Sequence, residues 1–280
     1  MTKPFQNVVI EGPRPVSALK YSLGLACRLL PRSWRVGKGY AEFHALAEVA
    51  ERWSVDQIRD YQVKQLRMTL IQAGNHCPYY QRTFARAGFR PELVRGLDDL
   101  RDCPMLEKAE LRQHLAEIVS TAVPAKHRLY LTAHDGAGAP LTFCLQNGVS
   151  SPKEQAFLET MWRRAGYAEG ARVAVIGGLA PATGAAGGSV HYDVLRNWLA
   201  LASDQLTAEL LPDYLSVIER FKPDFLRVDP SVALRLAGYL ESQGQSWRNP
   251  LRALLCGGEG ITPAQKSQLE RMFHCRVYHW

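Results

Sequence analysis

Two spacings of apolar and polar residues divide the chain. In the first third, apolar residues recur every three or four positions, as helices require. This spacing predicts helices over residues 41–49, 78–87, 97–100 and 104–115. It also predicts a long helix that begins at an N-cap of Ser54 or Asp56 and is ended by Gly74 and Pro78. From residue 128 onwards, short apolar runs with the length of strands alternate with helical patterns. We therefore expect a helical region over residues 1–120 and an α/β region over residues 121–280.

The second region repeats the order of strand, turn and helix. Strand-like runs occupy residues 172–178, 198–203, 224–228, 251–256 and 275–280, and helical patterns occupy 152–165, 211–221, 232–242 and 262–273. Repeats of this kind are joined by right-handed crossovers and build a mostly parallel sheet with helices over its faces. The predicted fold class is therefore α/β, with a helical N-terminal segment before a helix-covered, mostly parallel sheet.

Glycine turns follow three of the apolar runs, at Gly136, Gly177 and Gly257. Turns at the carboxyl ends of parallel strands line the ligand crevice of open α/β sheets. The first turn, in the stretch YLTAHDGAGAPLTF at residues 130–143, is either a hairpin loop or a nest of backbone N–H groups that holds a phosphate. The α/β order around it favours a ligand loop. The second turn lacks the G-x-G-x-x-G spacing of dinucleotide sites, and Pro181 stands where the helix would open.

Composition and charge limit the classes of molecule that the protein is expected to bind. The chain has 280 residues, 46% of them hydrophobic, and a formal net charge of +7. Its arginines are spread along helical patterns, which favours a solvated basic face or an anionic small ligand over a nucleic-acid groove. No transmembrane span is predicted. The apolar run at residues 21–30 is either a helix packed on its own protein, which is preferred, or an amphipathic helix on a membrane surface. We expect a cytoplasmic protein.

Cysteines and aromatic residues supply few candidate ligand groups. The six cysteines include no C-x-x-C pair and are expected to be reduced thiols. Cys256, His274 and Cys275 lack the spacing of metal ligands, so no metal site is predicted. Tyr79 and Tyr80 are either ligand-stacking aromatics or, preferably, core residues beside a helix start.

Four segments, in order along the chain, carry a family resemblance. They are WSVDQIRDYQVKQLRMTLIQAGNHCPYYQRTFARAGF, LDDLRDCPMLEKAELRQH, FKPDFLRVDPSVALRLAGYL and LRALLCGGEGITPAQKSQLERMFHCRVYHW, which together span about residues 52–280. They resemble the phenylacetate–coenzyme A ligase family of adenylate-forming enzymes, and within it the branch found with capsular polysaccharide biosynthesis. The resemblance implies the fold of the large N-terminal domain of these enzymes. It also implies their activity, in which ATP and Mg²⁺ convert a carboxylic acid to an acyl-adenylate and the acyl group passes to coenzyme A.

The resemblance implies site residues by position. The family's phosphate loop matches Thr132, Ala133, His134, Asp135, Gly136, Ala137, Gly138 and Pro140. The segment against the adenine matches Gly257, Gly258 and Glu259. The turn that lines the acyl pocket matches Asp229, Pro230 and Ser231, and His191 and Tyr192 are further candidates for that pocket. No catalytic residue and no metal ligand is assigned.

The phosphate loop departs from the family pattern. Where the family reads Thr-Ser-Gly-Ser-Thr-Gly-x-Pro, this chain has lost the hydroxyls, and Asp135 replaces a glycine. Each lost hydroxyl removes a hydrogen bond to a charged phosphate worth about 1.5–3 kcal/mol. The added carboxylate repels a triphosphate unless a metal or a charged His134 intervenes. The backbone N–H groups of Gly136 and Gly138 remain, so we expect binding to be weakened.

The second departure concerns motifs that would follow Trp280. The family continues with a Tyr-Gly-x-Thr/Ser-Glu motif whose Glu holds magnesium, a ribose-binding Asp, a hinge, and a small C-terminal domain with the catalytic Lys. The expectation is therefore an incomplete ligase homologue, inactive or impaired, for which ATP, Mg²⁺ and coenzyme A are implied. The alternatives are a non-catalytic nucleotide- or acyl-binding module, or one half of a split ligase. Such a half would associate with itself or with a separately encoded C-terminal half through the strand CRVYHW.

Overall fold

The structure is a computed structural model that describes residues 18–37, 39–133, 140–177, 190–203 and 206–280. The helices are α1 (Ala18–Arg28), α2 (Arg32–Val36), α3 (Gly39–Ala50), α4 (Val55–His76), α5 (Pro78–Ala87), α6 (Lys108–Ile118), α7 (Ser150–Arg163), α8 (Leu211–Phe221), α9 (Pro230–Ser242) and α10 (Pro263–Phe273). The strands are β1 (Arg128–Ala133), β2 (Leu141–Gln146), β3 (Val173–Gly177), β4 (Val190–Asp193), β5 (Trp198–Ala202), β6 (Phe225–Val228), β7 (Ala253–Cys256) and β8 (Arg276–His279). Short 3₁₀ helices occupy Pro91–Leu93, Leu97–Asp102 and Ala125–His127.

The contacts divide the chain into two compact units. One is Arg32–Leu158, and the other is Glu159–Trp280 together with the described residues before Arg32. The boundary predicted at residue 120 coincides with the place where the N-terminal helices end and the first strand approaches along the chain. Its role as a domain boundary stays a prediction. Neither unit contains, among its described residues, a helix long and apolar enough to cross a membrane.

The unit Arg32–Leu158 contains the helices of the first third. The predicted cap of α4 is confirmed, because Ser54 forms a capping box at its start. The predicted end of this helix at Gly74 and Pro78 is confirmed, since α4 ends at His76 and Pro78 begins α5. A Cβ on Gly74 would lie 3.4 Å from the ring of Phe84, so this glycine allows α4 to pack closely on α5.

Tyr79 confirms the core interpretation of the aromatic pair. Its side chain is buried, and its ring meets that of Tyr80 edge-on with centroids 5.3 Å apart. On its other side the ring of His114 lies 5.6 Å away. Aromatic packing therefore joins α5 to α6 within this unit.

The other unit is built on a sheet of six described strands in the order β4-β5-β3-β6-β7-β8. The neighbours from β5 to β8 are parallel, and β4 pairs antiparallel with β5 at one edge. The sheet is therefore mostly parallel, and the predicted α/β class is confirmed. The sequence did not predict β4, which returns to β5 through Asn197, a residue with a positive φ of 62°.

The two faces of this sheet are packed differently. Helices α8, α9 and α10 cover one face and bury, among others, Tyr214, Ile218, Leu236, Leu269 and Phe273. The opposite face carries an aromatic cluster whose neighbouring ring centroids lie between 5.3 and 6.0 Å apart, formed by Trp162, Tyr167, Trp198, Phe225 and Trp280. The ends of the central strands are thus held between two apolar layers.

Candidate functional site

Two predicted site segments leave the sheet side by side. Strands β6 and β7 are neighbours, and their last residues, Val228 and Cys256, are paired in register. Residues 229–231 and 257–259 therefore follow the carboxyl ends of adjacent parallel strands. The carboxyl edge of a parallel sheet is the position of ligand crevices in α/β proteins. We call these two segments the carboxyl-edge site.

Glu259 joins the two segments. Its carboxylate accepts one hydrogen bond from the backbone N–H of Ser231 and another from the Ser231 hydroxyl, both at 2.9 Å. Ser231 lies in the first turn of α9, where unpaired N–H groups and the helix dipole favour an anion. The backbone carbonyl of Glu259 accepts a hydrogen bond from Nε2 of His279 at 2.7 Å. Glu259, in the segment after β7, thus bonds to the end of β8 and to the start of α9.

Removing this link is expected to weaken α9 at its N-terminus. Glu259→Ala should lower the free energy of unfolding by about 1 kcal/mol, the usual cost of losing a helix cap. Ser231→Ala should have a smaller effect, because the backbone N–H still bonds to Glu259. Urea unfolding of both variants and the double variant measures the coupling between the two side chains. Asp213→Ala, which removes an exposed carboxylate from the first turn of α8, is the matched control. Strict additivity of the two changes would contradict the link.

Asp229 and Gly258 meet inside the carboxyl-edge site. Gly258 has a positive φ of 85°, and a Cβ at this position would lie 3.2 Å from Oδ1 of Asp229. The backbone conformation therefore favours glycine, and a Cβ at this position would also push the Asp229 carboxylate aside by a few tenths of an ångström. Burial raises the pKa of Asp229 above its ordinary value, the Glu259 carboxylate raises it further, and the Arg227 guanidinium opposes them. Asp229 thus holds a charge that its surroundings disfavour.

The raised pKa of Asp229 predicts how its amide variant responds to pH. As pH rises from the ordinary pKa of 3.8 towards the raised value, the unfolded chain ionises while the folded carboxyl keeps its proton, so the folded state loses stability until its own pKa is passed. Asp229→Asn stays neutral and escapes this loss. We expect the variant to gain stability over the native chain between acidic and neutral pH, and the gain to shrink as pH falls below the ordinary pKa of 3.8. Thermal unfolding across this range tests the expectation. A difference that is the same at every pH would contradict it.

An indole covers Gly257, the remaining glycine of the site. A Cβ on Gly257 would lie less than 3.0 Å from ring atoms of Trp280. Cys256 pairs with His279 in the parallel β7–β8 ladder, so Gly257 and Trp280 are the next residues along the two strands. The backbone at Gly257 therefore accepts a flat ring against it. Sequence reasoning missed this contact, although the parallel pairing of the last two predicted strands was the signal that pointed to it.

The predicted phosphate loop lies in the other unit, between β1 and β2. These strands pair antiparallel from Arg128↔Gln146 to Ala133↔Leu141, so the hairpin interpretation is confirmed for the strands that flank the loop. Five residues assigned to the phosphate loop lie outside the described residues: His134, Asp135, Gly136, Ala137 and Gly138. The turn after Gly177 lies outside them as well. The phosphate-binding role of the five loop residues stays a prediction, and a hairpin does not exclude it.

The described residues at the two ends of this loop are held by neighbours. The hydroxyls of Thr132 and Thr142 form a hydrogen bond of 3.1 Å across the hairpin. Arg112 of α6 donates from Nε to the carbonyl oxygen of Pro140 at 3.4 Å. A guanidinium therefore lies beside the exit of the loop, an arrangement that favours an anion in the loop.

His191 and Tyr192 lie at the far edge of the sheet. Both are on β4, which is separated from β6 by β5 and β3, or about 14 Å at the usual strand spacing. The Tyr192 hydroxyl donates to Oδ1 of Asn197 at 2.7 Å, within its own hairpin. The sheet order thus does not bring these two residues next to residues 229–231, and their assignment to an acyl pocket stays a prediction.

Two thiols of this unit have raised pKa values. Burial raises the pKa of Cys256 to about 12 and that of Cys275 to about 11, so both thiols are protonated near neutral pH in the metal-free chain. Within the part of the chain that the structure describes, no three His, Cys, Asp or Glu side chains cluster as metal ligands.

Comparison with known proteins indicates a ligase relationship. No family model matches the sequence. The chain is 29% identical over 225 residues to the phenylacetate–coenzyme A ligase of Escherichia coli (strain K12), covering 79% of this chain and 50% of that protein. It is 29% identical over 230 residues to the phenylacetate–coenzyme A ligase of Pseudomonas putida, covering 81% and 51%. The chain thus spans about half the length of these curated relatives.

Solved structures show the same fold. The structure superposes on 2-hydroxyisobutyryl-CoA ligase in complex with 2-HIB-AMP and CoA with a TM-score of 0.57 and 20% identity, over 80% of this chain and 53% of that chain. For the postadenylation state of that enzyme with 2-HIB-AMP, the TM-score is 0.59 at 21% identity, over 80% and 48%. The chain is therefore similar in sequence to phenylacetate–coenzyme A ligases and shares its α/β fold with the matched part of 2-hydroxyisobutyryl-CoA ligase.

Proposed function

We propose that this chain is the acid-activating part of a coenzyme A ligase homologue, and that its carboxyl-edge site binds a small carboxylic acid and an adenine nucleotide. The observation that carries the proposal is the convergence of residues 229–231 and 257–259 at the ends of β6 and β7. These are the segments that the family resemblance assigns to the acyl pocket and the adenine. The similarity to phenylacetate–coenzyme A ligases supports an arylacetic acid as the first substrate to test.

The side chains of the site suit positioning rather than proton transfer. The flat ring of Trp280 against Gly257 indicates that this backbone accepts an aromatic base, which would have to displace or stack beside the indole. Glu259 already occupies the N-terminus of α9, so it would hold α9 in place and keep a ligand carboxylate away from that helix end. In the family, ATP supplies the leaving pyrophosphate, and coenzyme A accepts the acyl group.

The altered phosphate loop is expected to make acyl-adenylate formation slow. Without hydroxyls at positions 133–137, the triphosphate is held mainly by backbone N–H groups and by the Arg112 cation near the loop exit. Asp135 adds a negative charge beside the phosphates. The described residues contain no cluster of His, Cys, Asp or Glu side chains that could hold Mg²⁺.

Pyrophosphate release tests the proposal directly. The chain would be mixed with ATP, Mg²⁺ and a panel of aryl and alkyl carboxylic acids, with calorimetric titration of AMP and of each acid alongside. We expect acid and AMP to bind, with pyrophosphate release slow or absent. Fast turnover would contradict the predicted impairment of the phosphate loop. Failure of AMP and of every acid to bind would contradict the assignment of the carboxyl-edge site as a ligand site.

A second candidate is a non-catalytic binding module, which the loss of the loop hydroxyls favours. Such a module would bind an acid or an adenylate and never release pyrophosphate, even after the loop hydroxyls are restored.

A further alternative is that the chain is one half of a split ligase and pairs with its other half through β8. In that case the chain would self-associate or gain turnover when mixed with a C-terminal half. The capsular polysaccharide branch also remains a proposal.

A further inference from the structure

The indole of Trp280 lies directly against the backbone of the carboxyl-edge site. A Cβ on Gly257 would lie less than 3.0 Å from three atoms of the ring, Cε2, Cζ2 and Nε1. Any side chain at position 257 would therefore have to push the ring away, so the absence of one lets the indole lie there. The same ring meets that of Trp162 edge-on, with centroids 5.7 Å apart. Aromatic packing thus favours this position of the indole.

Hydrogen bonds fix the backbone beside the indole. The backbone N–H of Trp280 donates to the carbonyl oxygen of Cys256 at 3.3 Å, and Nε2 of His279 donates to the carbonyl oxygen of Glu259 at 2.7 Å. The end of β8 is therefore held to the end of β7 and to the segment after it. The side chain of Trp280 is only partly buried. The ring can therefore leave Gly257 by rotation about its side-chain bonds while the strand stays in place.

An adenine base and this indole would compete for one surface. Under the proposed function, residues 257–259 are the segment that lies against the adenine. Adenine and indole are both flat, with a five-membered ring fused to a six-membered ring, so the two have nearly the same footprint. The backbone of Gly257 is covered by the indole and has no second free side for a ring of this size. A base that contacts Gly257 must therefore replace the indole.

We propose that Trp280 is a gate of the carboxyl-edge site, because its indole occupies the place of the nucleobase and leaves when an adenine nucleotide binds. The proposal rests on the proposed function, which supplies the competing base. A gate that is open in one tenth of the molecules lowers the apparent affinity by about tenfold. The gate acts on AMP and ATP alike, whereas the altered phosphate loop acts on the triphosphate. A carboxylic acid without a base is not affected by the gate.

Calorimetric titration with AMP and with phenylacetate tests the gate. Trp280→Ala should bind AMP about tenfold more tightly than the native chain does. Trp280→Phe, which keeps a smaller ring, should lie between the two. All three chains should bind phenylacetate equally. The matched control is Trp34→Ala, which removes an exposed indole from the other unit and should leave both affinities unchanged. Trp162 is not substituted in this test, because its loss would loosen the support of the site together with the indole.

The pattern of affinities separates the gate from the proposed function. If the native chain binds AMP and Trp280→Ala binds it equally or more weakly, the gate is overturned and the proposed function stands. If neither chain binds AMP, both the gate and the proposed nucleotide binding are overturned, and the phenylacetate titration decides the proposed acid binding alone. Tighter binding of AMP by Trp280→Ala, with phenylacetate unaffected, supports both.

A measurement on the native sequence decides the question if Trp280→Ala unfolds. The chain is labelled with 5-fluorotryptophan, and the fluorine resonance of Trp280 is assigned by its absence from the spectrum of Trp280→Phe. Saturating AMP should move this resonance towards that of the exposed Trp34. The resonance of Trp247, which is buried on the helix-covered face of the sheet, should not move. A Trp280 resonance that stays unchanged while AMP binds would overturn the gate.

Discussion

Replacing Trp162 by alanine is expected to lower the free energy of unfolding by about 3–5 kcal/mol. Only 1% of this side chain is exposed, and its ring lies 5.3 Å from that of Tyr167, 6.0 Å from Trp198 and 5.7 Å from Trp280. The indole N–H has no hydrogen-bond partner among the described residues, so the loss would come from packing and from the contact with the Arg227 guanidinium, which lies 5.4 Å from the ring centroid. Urea unfolding followed by circular dichroism measures it.

Trp34 provides the matched control for this substitution. Its side chain is exposed in α2, so Trp34→Ala should change the free energy of unfolding by no more than about 0.5 kcal/mol. Trp162→Phe should lie between the two, because it retains a smaller ring. Because Trp162 packs on Trp280, which covers Gly257, its loss should also weaken ligand binding at the carboxyl-edge site. Equal stability of the Trp162→Ala and Trp34→Ala variants would contradict the packing described here.

Restoring the family residues of the phosphate loop is expected to tighten ATP binding by about 100-fold. The restored loop carries five changes: Ala133→Thr, His134→Ser, Asp135→Gly, Gly136→Ser and Ala137→Thr. Two new hydrogen bonds to phosphate oxygens, each of about 1.5 kcal/mol, account for this factor. Removal of the Asp135 carboxylate should add to it. Calorimetric titration with ATP gives the affinity, and pyrophosphate release shows whether turnover follows.

A second glycine turn supplies the control for the restored loop. Ala182→Ser, Ala185→Thr and Ala186→Ser add hydroxyls to the turn after Gly177, which lacks the family's loop pattern, and should leave ATP affinity unchanged. AMP, which has one phosphate, should gain less from the restored loop than ATP does. Equal gains for AMP and ATP, or no gain for either, would contradict the assignment of residues 132–140 to the triphosphate.

Much of the fold follows from local patterns. The alternation of short apolar runs and helical spacing predicted the parallel strands β3, β5, β6, β7 and β8. The predicted N-caps at Ser54 and Thr262 are also confirmed as helix starts. Strand β4 escaped prediction because it has only four residues and none of them is buried. Gly74 and Pro78 bracket the observed end of α4 at His76, but the contact of Gly74 with Phe84 could not be predicted, because it forms only when α4 packs on α5.

The sequence indicated where the candidate site lies in the fold, but it did not indicate the side-chain contacts within the site. The rule that ligands bind at the carboxyl ends of parallel strands pointed to the turn at Gly257, and strand order put residues 229–231 beside it. The bond between Glu259 and Ser231 and the indole over Gly257 depend on register and on side-chain reach across separate elements. Neither quantity is encoded in the spacing of residues along one segment.

The most direct test of the proposed function is the affinity of the native chain for a non-hydrolysable arylacetyl-adenylate analogue, measured beside ATP by calorimetry. The analogue joins an acyl group to an adenine nucleoside without a triphosphate, so it probes the carboxyl-edge site and bypasses the altered loop. We predict that the analogue binds more tightly than ATP, and that Gly257→Ala, whose Cβ would collide with Trp280, changes its affinity. Tight binding of ATP with no binding of the analogue would contradict two hypotheses, namely that the carboxyl-edge site binds an acyl-adenylate and that the altered loop weakens triphosphate binding.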